Sequence, residues 1–258
     1  MPESVVYNMD CLEFMKTLPD DYFDLCCADP PYGAGFTEGG GCKGWFTKYH
    51  QDAGKDSDEG LVDRHNLRGR FSKYDYEPTI SAKRIGGDGG GWKNSTYGKK
   101  IIAWDVMPEP QVFNEMFRIS RNQIIWGGNY FGLPPTRCFL IWRKLSISES
   151  FTMAMAEYAW TSFNSNAKVF ECAPQGKADD PRFHPTQKPI DLYRWIYNLF
   201  AKPGMKVFDP YLGSGSSRIA AYDAGLDFVG CEIDPIYFQL EEKRFERHTA
   251  QMSLWEDA

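Results

Sequence analysis

No stretch of this chain approaches the roughly 20 consecutive apolar residues that a membrane span requires. The opening residues, MPESVVYNMDC, carry neither the basic start nor the apolar core of a secretory signal. These two absences predict a cytoplasmic protein with no membrane partner. The seven cysteines, at positions 11, 26, 27, 42, 138, 172 and 231, are odd in number and form no C-x-x-C pair. Neither a zinc site nor a disulfide framework is expected, and no residue is assigned to a metal. Cys26, Cys27, Cys138 and Cys231 lie in apolar runs, where cysteine acts as a small buried hydrophobe. Positive charge is also scarce: 29 Lys and Arg face 35 Asp and Glu, a formal net charge of −6. That balance argues against a globally basic nucleic-acid binder. No internal repeat is present.

What is there is an ordinary globular composition, 42% hydrophobic and 25% charged over 258 residues, enough for one sizeable core. A single domain over 1–258 is expected. The charge is unevenly spread. Residues 33–100 hold 12 Lys and Arg against 9 Asp and Glu, leaving 17 against 26 elsewhere. This segment contains GGG at 39–41 and GGDGGG at 86–91 and has no periodicity. It reads as an irregular insert, either a solvated loop or a weak hint of a polyanion partner.

Around the insert, regular patterns return. FDLCCA (23–28) reads as a short buried strand, VFNEMFRIS (112–120) as a helix, and QIIW, CFLIW, AEYAWTS and AKVFEC as strands. TQKPIDLYRWIYNLF (186–200) reads as a helix starting near Pro189. The last third alternates strand, helix, strand and helix over 205–248, which means a βαβ unit and a parallel sheet. The fold class is therefore α/β, a doubly wound and mostly parallel sheet.

Two strand ends carry the chemistry. Residues 26–33, CCADPPYG, end an apolar run in two prolines that stiffen the backbone between the Asp29 carboxylate and the Tyr32 ring. Residues 209–217, DPYLGSGSS, end a strand at Asp209 and enter a helix through glycines, which let a ligand approach the backbone and the free N–H groups of the helix start. The next strand ends in Glu232, 17 residues after Gly215. A carboxylate there is placed to accept hydrogen bonds from ribose hydroxyls, or is simply a solvated strand-end charge. The turn and Glu232 together point to an adenosine-containing cofactor.

Joined to DPPY, the pattern resembles the amino-methyltransferases that use S-adenosylmethionine to methylate the exocyclic nitrogen of adenine or cytosine in DNA. DPPY first and the cofactor loop near the C-terminus matches the circularly permuted β class of that family. HPTQKP (184–189) is a third matching block, and NMDC and IIWGGNYF (124–131) look like further ones. The resemblance covers most of 5–245 except the 33–100 insert, and its blocks also look like those of phage and prophage enzymes of orphan type.

The resemblance implies a Rossmann-like methyltransferase fold with cofactor binding in 184–248; the basic and aromatic residues of the insert make it, with residues near 143–183, the candidate for target recognition. The resemblance also implies catalytic roles for Asp29, Pro30, Pro31 and Tyr32: the Asp29 carboxylate and Pro30 carbonyl would hold the target amino group, the prolines would fix them, and Tyr32 would stack on a base flipped from the duplex. Asp209, Tyr211, Gly213, Ser214, Gly215 and Glu232 would hold S-adenosylmethionine. Asp10 matches a position near the cofactor adenine, with helix capping as the alternative. Thr186 and Lys188 would line the methionine end or start a helix. His184 is a less favoured proton acceptor.

The implied function is site-specific DNA adenine-N6 methylation, because Asp in the first position of the tetrapeptide leans toward adenine. The alternatives are cytosine N4 methylation of DNA and adenine methylation of RNA. Cytosine C5 chemistry needs a cysteine after proline, and the chain has no Pro-Cys. Neither is a clustered PD…(D/E)xK nuclease pattern present, so the enzyme stands alone or is half of a restriction pair. Double-stranded DNA is the implied partner, and a homodimer and a cognate restriction endonuclease are left open.

Overall fold

The structure is a computed structural model that describes residues 2–32, 106–145, 147, 154–174 and 180–256, without the side chains beyond 250. The 33–100 insert lies outside the described residues. Within 1–32 and 107–258, one compact unit, the chain runs β1 (Ser4–Tyr7), α1 (Cys11–Met15), β2 (Phe23–Ala28), α2 (Pro110–Ile119), β3 (Ser120–Trp126), β4 (Phe139–Lys144), β5 (Ala156–Thr161) and β6 (Lys168–Cys172). It continues through α3 (Ile190–Phe200), β7 (Lys206–Asp209), α4 (Ser216–Asp223), β8 (Asp227–Cys231) and α5 (Pro235–Glu256).

The strands form one sheet in the order β1-β8-β7-β2-β3-β5-β4-β6. Every strand runs parallel to the others except β5, which pairs antiparallel with both β3 and β4. The expected mostly parallel α/β sheet is present. Residue patterns explain the layers. The run FDLCCA has no polar face because β2 is covered on both sides: Leu25 and Cys27 face the core beneath α3 and α4, whereas Cys26 and Ala28 face the core beneath α1 and α2. Helix α2 opens on Pro110 and buries Val112, Phe113, Met116 and Ile119, one stripe at helical spacing. Helix α3 does the same with Leu192, Tyr193, Ile196 and Tyr197. The four cysteines expected in the core, Cys26, Cys27, Cys138 and Cys231, are all buried.

Two short elements, β1 and α1, fall where no pattern was legible, and α5 continues past the expected 248. The topology also fixes where a site can be. From β7 the chain winds outward through α4 to β8, and from β2 it winds the other way to β3. The C-terminal ends of β2 and β7, hydrogen-bonded neighbours with Leu25 opposite Val207 and Cys26 opposite Phe208, form the switch point where open α/β sheets bind ligands.

Ile196, fully buried between α3 and the sheet, tests this packing. Ile196→Ala should lower unfolding stability by about 2–5 kcal/mol, read from urea melts, and a loss below about 0.5 kcal/mol would place α3 outside the core.

Candidate active site

Asp29 follows β2 directly, so its carboxylate stands at the switch point. Its Oδ1 accepts a 2.9 Å hydrogen bond from the Tyr32 hydroxyl, and its Oδ2 is ion-paired with Lys188 Nζ. Burial pushes the Asp29 carboxyl above its ordinary range, with Lys188 pulling the other way. Lys188 has only 5% of its side chain exposed. Burial would lower its ammonium, but Asp29 and Glu157 outweigh that and hold it above the usual lysine value. Lys188 therefore does not start a helix: α3 begins two residues later, capped by Pro189. Its side chain turns back to the DPPY segment.

The ring of Tyr32 stacks on Tyr130, centroids 5.1 Å apart and 28° between planes. It also lies over the backbone of Gly127, where an added Cβ would stand 2.2 Å from Tyr32 Cε1. At Gly128 an added Cβ would stand 2.3 Å from Trp160 Cβ. The glycine pair in IIWGGNYF thus lets the end of β3 pass beneath two aromatic residues.

The loop after β7 is tied down from three sides. Asp209 accepts from the Tyr211 N–H at 3.0 Å and from the Ser217 hydroxyl. Glu232, at the end of β8, accepts from the N–H groups of Gly213 and Asp234 at 2.8 and 2.9 Å. Arg244 of α5 donates to the Ser214 carbonyl at 2.6 Å and is itself held by Asp180. Gly213 and Gly215 both have positive φ, 55° and 73°. A Cβ on Gly215 would stand 2.4 Å from Glu241 Cγ, so glycine is required by conformation and by space.

The remaining expected residues are placed less centrally. Asp10 caps α1, accepting from the N–H groups of Leu12 and Glu13, which is the capping alternative. Thr186 is exposed, with its hydroxyl 3.2 Å from His184 Nδ1. His184 is buried edge-on against Tyr237, and burial, helped by Arg182, drops its imidazole to about 3. A neutral histidine packed above Gly213 supports the loop and is a poor proton acceptor. Pro30 is buried and Pro31 half-buried.

Sequence reasoning missed Glu157, whose Oε1 is 2.5 Å from Lys144 Nζ and whose Oε2 is 3.3 Å from Lys188 Nζ. It also missed Trp126, whose ring lies 5.3 Å from that ammonium. The only signal for Glu157 was a charge in an otherwise apolar strand, which normally marks a solvent face.

Several solved structures share this architecture. PvuII DNA methyltransferase, described as cytosine-N4-specific, matches with a TM-score of 0.51 and 12% identity over 97% of this chain and 91% of its own. The M1.HpyAVI–SAM complex matches with a TM-score of 0.50 and 16% identity over 95% and 98%. The fold is that of the α/β methyltransferases. In sequence, the Type II methyltransferase M2.MboI of Moraxella bovis is 22% identical over 95% of this chain and 88% of its own length. A family model described as DNA methylase, of the N6/N4 type, matches residues 92–243, more than half of the chain. The protein belongs to that family.

The pH dependence of Asp209 is a direct consequence of its burial, which pushes its carboxyl up to about 7 against the Ser217 and Tyr211 hydrogen bonds. A carboxyl raised on folding contributes stability that is complete below its ordinary value of 3.8 and is lost as the pH rises through about 7. Asp209→Asn should therefore gain stability relative to wild type as the pH is raised from about 4 to about 8. A difference in melting temperature that does not change with pH would contradict this.

Proposed function

We propose that the protein is an S-adenosylmethionine-dependent methyltransferase of the permuted β class, acting on adenine N6 in double-stranded DNA. One observation carries the reading: the half-buried Asp29–Tyr32 pair and the glycine loop closed by Glu232 stand side by side at the ends of β2, β7 and β8. Asp first in the tetrapeptide favours adenine over cytosine.

The residues fit the cofactor. Each Glu232 oxygen already accepts one backbone N–H and keeps a second lone pair for a ribose hydroxyl. The positive-φ glycines keep the loop free of side-chain bulk, and no side chain caps the start of α4. Tyr211, Gly213, Ser214, Gly215 and Glu232 would hold S-adenosylmethionine, with Asp10 at its adenine end and Thr186 at its methionine end. Asp209 acts on the loop from beneath. When bound, the cofactor supplies a methyl group on a sulfonium, an electrophile that needs only an aligned nucleophile.

The chain's own residues supply that alignment. An aromatic amine is a weak nucleophile because its lone pair is delocalised. Hydrogen bonds from the amine to Asp29 and to the Pro30 carbonyl localise that pair, and the prolines keep both acceptors fixed, so little reorganisation is needed. Tyr32 leaves its hydrogen bond with Asp29 to stack on the flipped base. The nitrogen that has gained a methyl group sheds one proton, and Asp29, already raised by burial, takes it and passes it to solvent.

Target recognition is assigned to the 33–100 insert with residues near 143–183, on composition. A homodimer and a cognate endonuclease are further partners that the resemblance implies, as is the phage or orphan setting.

Incubation with DNA and isotopically labelled S-adenosylmethionine, followed by nucleoside mass spectrometry, tests the proposal. Labelled N6-methyldeoxyadenosine is expected. Labelled N4-methyldeoxycytidine would move the reading to the cytosine enzymes, and no labelled nucleoside would overturn it.

A further inference from the structure

Both oxygens of Asp29 are engaged in this structure, one by Tyr32 and one by Lys188. Tyr32 gives up Oδ1 when it stacks on the base, but Lys188 on Oδ2 still draws on the charge of the carboxylate that must polarise the amino group. Removing a buried ammonium from its only counter-ion is costly, but Lys188 has a second one. Glu157 Oε2 lies 3.3 Å from Nζ, and that buried oxygen has no hydrogen-bond partner among the described residues. Its other oxygen is anchored by Lys144. The four side chains alternate in sign from Lys144 through Glu157 and Lys188 to Asp29, and β4, β5, the HPTQKP block and the residue after β2 each contribute one.

We propose that Glu157 receives Lys188 from Asp29 when the target amino group arrives, which makes Glu157 and Lys188 positioning residues that return the full carboxylate charge of Asp29 to the base. This rests on the reading of Asp29 as the base-holding acid. A small swing of the ammonium between two carboxylates keeps its charge compensated throughout, and the open Oε2 is the acceptor that awaits it. Once Lys188 has moved, Asp29 faces the amine as a stronger acceptor, because the ammonium no longer draws on its charge.

The groups facing Asp29 are Tyr32 on its own segment, Cys27 of β2, Asp209 of β7, Tyr193 of α3, Lys188 and Glu157. Lys188 favours the ionised Asp29 and Glu157 opposes it, so the two replacements move Asp29 in opposite directions. The test is titration of Asp29 by carbon-13 carboxyl NMR, alongside the pH dependence of methyl transfer and the affinity for S-adenosylmethionine. Lys188→Met should raise the Asp29 pKa and move the acidic limb of the rate profile to higher pH. Glu157→Gln should lower that pKa and move the limb to lower pH. It should also reduce kcat about tenfold with cofactor affinity unchanged, an effect on transfer alone, and Glu157→Asp should restore part of it.

The opposite titration shifts follow from the standing charges around Asp29, so the fall in kcat at unchanged cofactor affinity is the readout that marks the exchange. If Lys188→Met fails to fold, the near-isosteric Glu157→Gln decides alone. No methyl transfer in the wild type would overturn the proposed activity, and with it the exchange that serves it. Transfer in the wild type with an unmoved Asp29 titration and unchanged kcat in Glu157→Gln would overturn the exchange and leave the activity standing.

Discussion

The ion pair between Asp29 and Lys188 is the constraint around which the site is arranged. A carboxylate at the end of a strand covered on both faces cannot remain charged without a partner, and breaking such a buried pair costs about 3–5 kcal/mol. The partner comes from a segment 159 positions away in the chain. That choice ties β2 to the turn before α3, where Arg182 donates to the carbonyls of His184 and Pro185. The pair then needs Glu157, and Glu157 needs Lys144, so β5, antiparallel to both of its neighbours, becomes part of the site. The alternating charges sum to zero, which allows a cluster this polar to sit beside Trp126 and Trp142.

The neighbouring loop solves a different problem. A backbone that must approach a ligand closely cannot be padded with side chains, so its rigidity has to come from outside. Asp209 holds it from below, Glu232 from the end of β8, and Arg244 from α5. Arg218 reinforces the same region: it pairs with the buried Glu241 and packs its guanidinium 3.8 Å from the Phe245 ring centroid. Burial pushes Glu241 up to about 7 despite Arg218. The loop is held by fixed donors and acceptors before any ligand arrives, the condition under which electrostatic stabilisation needs least reorganisation.

How much of this was legible in the sequence depended on whether the signal was local. The alternation of β7, α4, β8 and α5 could be read because strand and helix periods switch cleanly and glycines and prolines mark the joints. The glycines of the loop and Glu232 could be read because their spacing follows from one βαβ unit. Strand β1, of four residues, and helix α1, of five, are too short to show a period, and the antiparallel direction of β5 is a property of pairing that no single strand displays. Lys188 could not be placed, because a lysine before Pro189 carries a local helix-start reading whereas its partner is distant. A glutamate in an alternating strand ordinarily marks its solvent face, so Glu157 carried no signal of its own. It proved to be the counter-charge of a buried lysine. Asp10 caps α1 as its local sequence allows.

The central claim is that one acid, Asp29, holds the reacting amino group while a separate loop holds the cofactor. Calorimetric titration of S-adenosylmethionine into wild type and Asp29→Ala, with methyl transfer to DNA measured on the same samples, tests it most directly. The account predicts dissociation constants within about threefold of each other and transfer lost in the variant. Undiminished transfer by Asp29→Ala would contradict it.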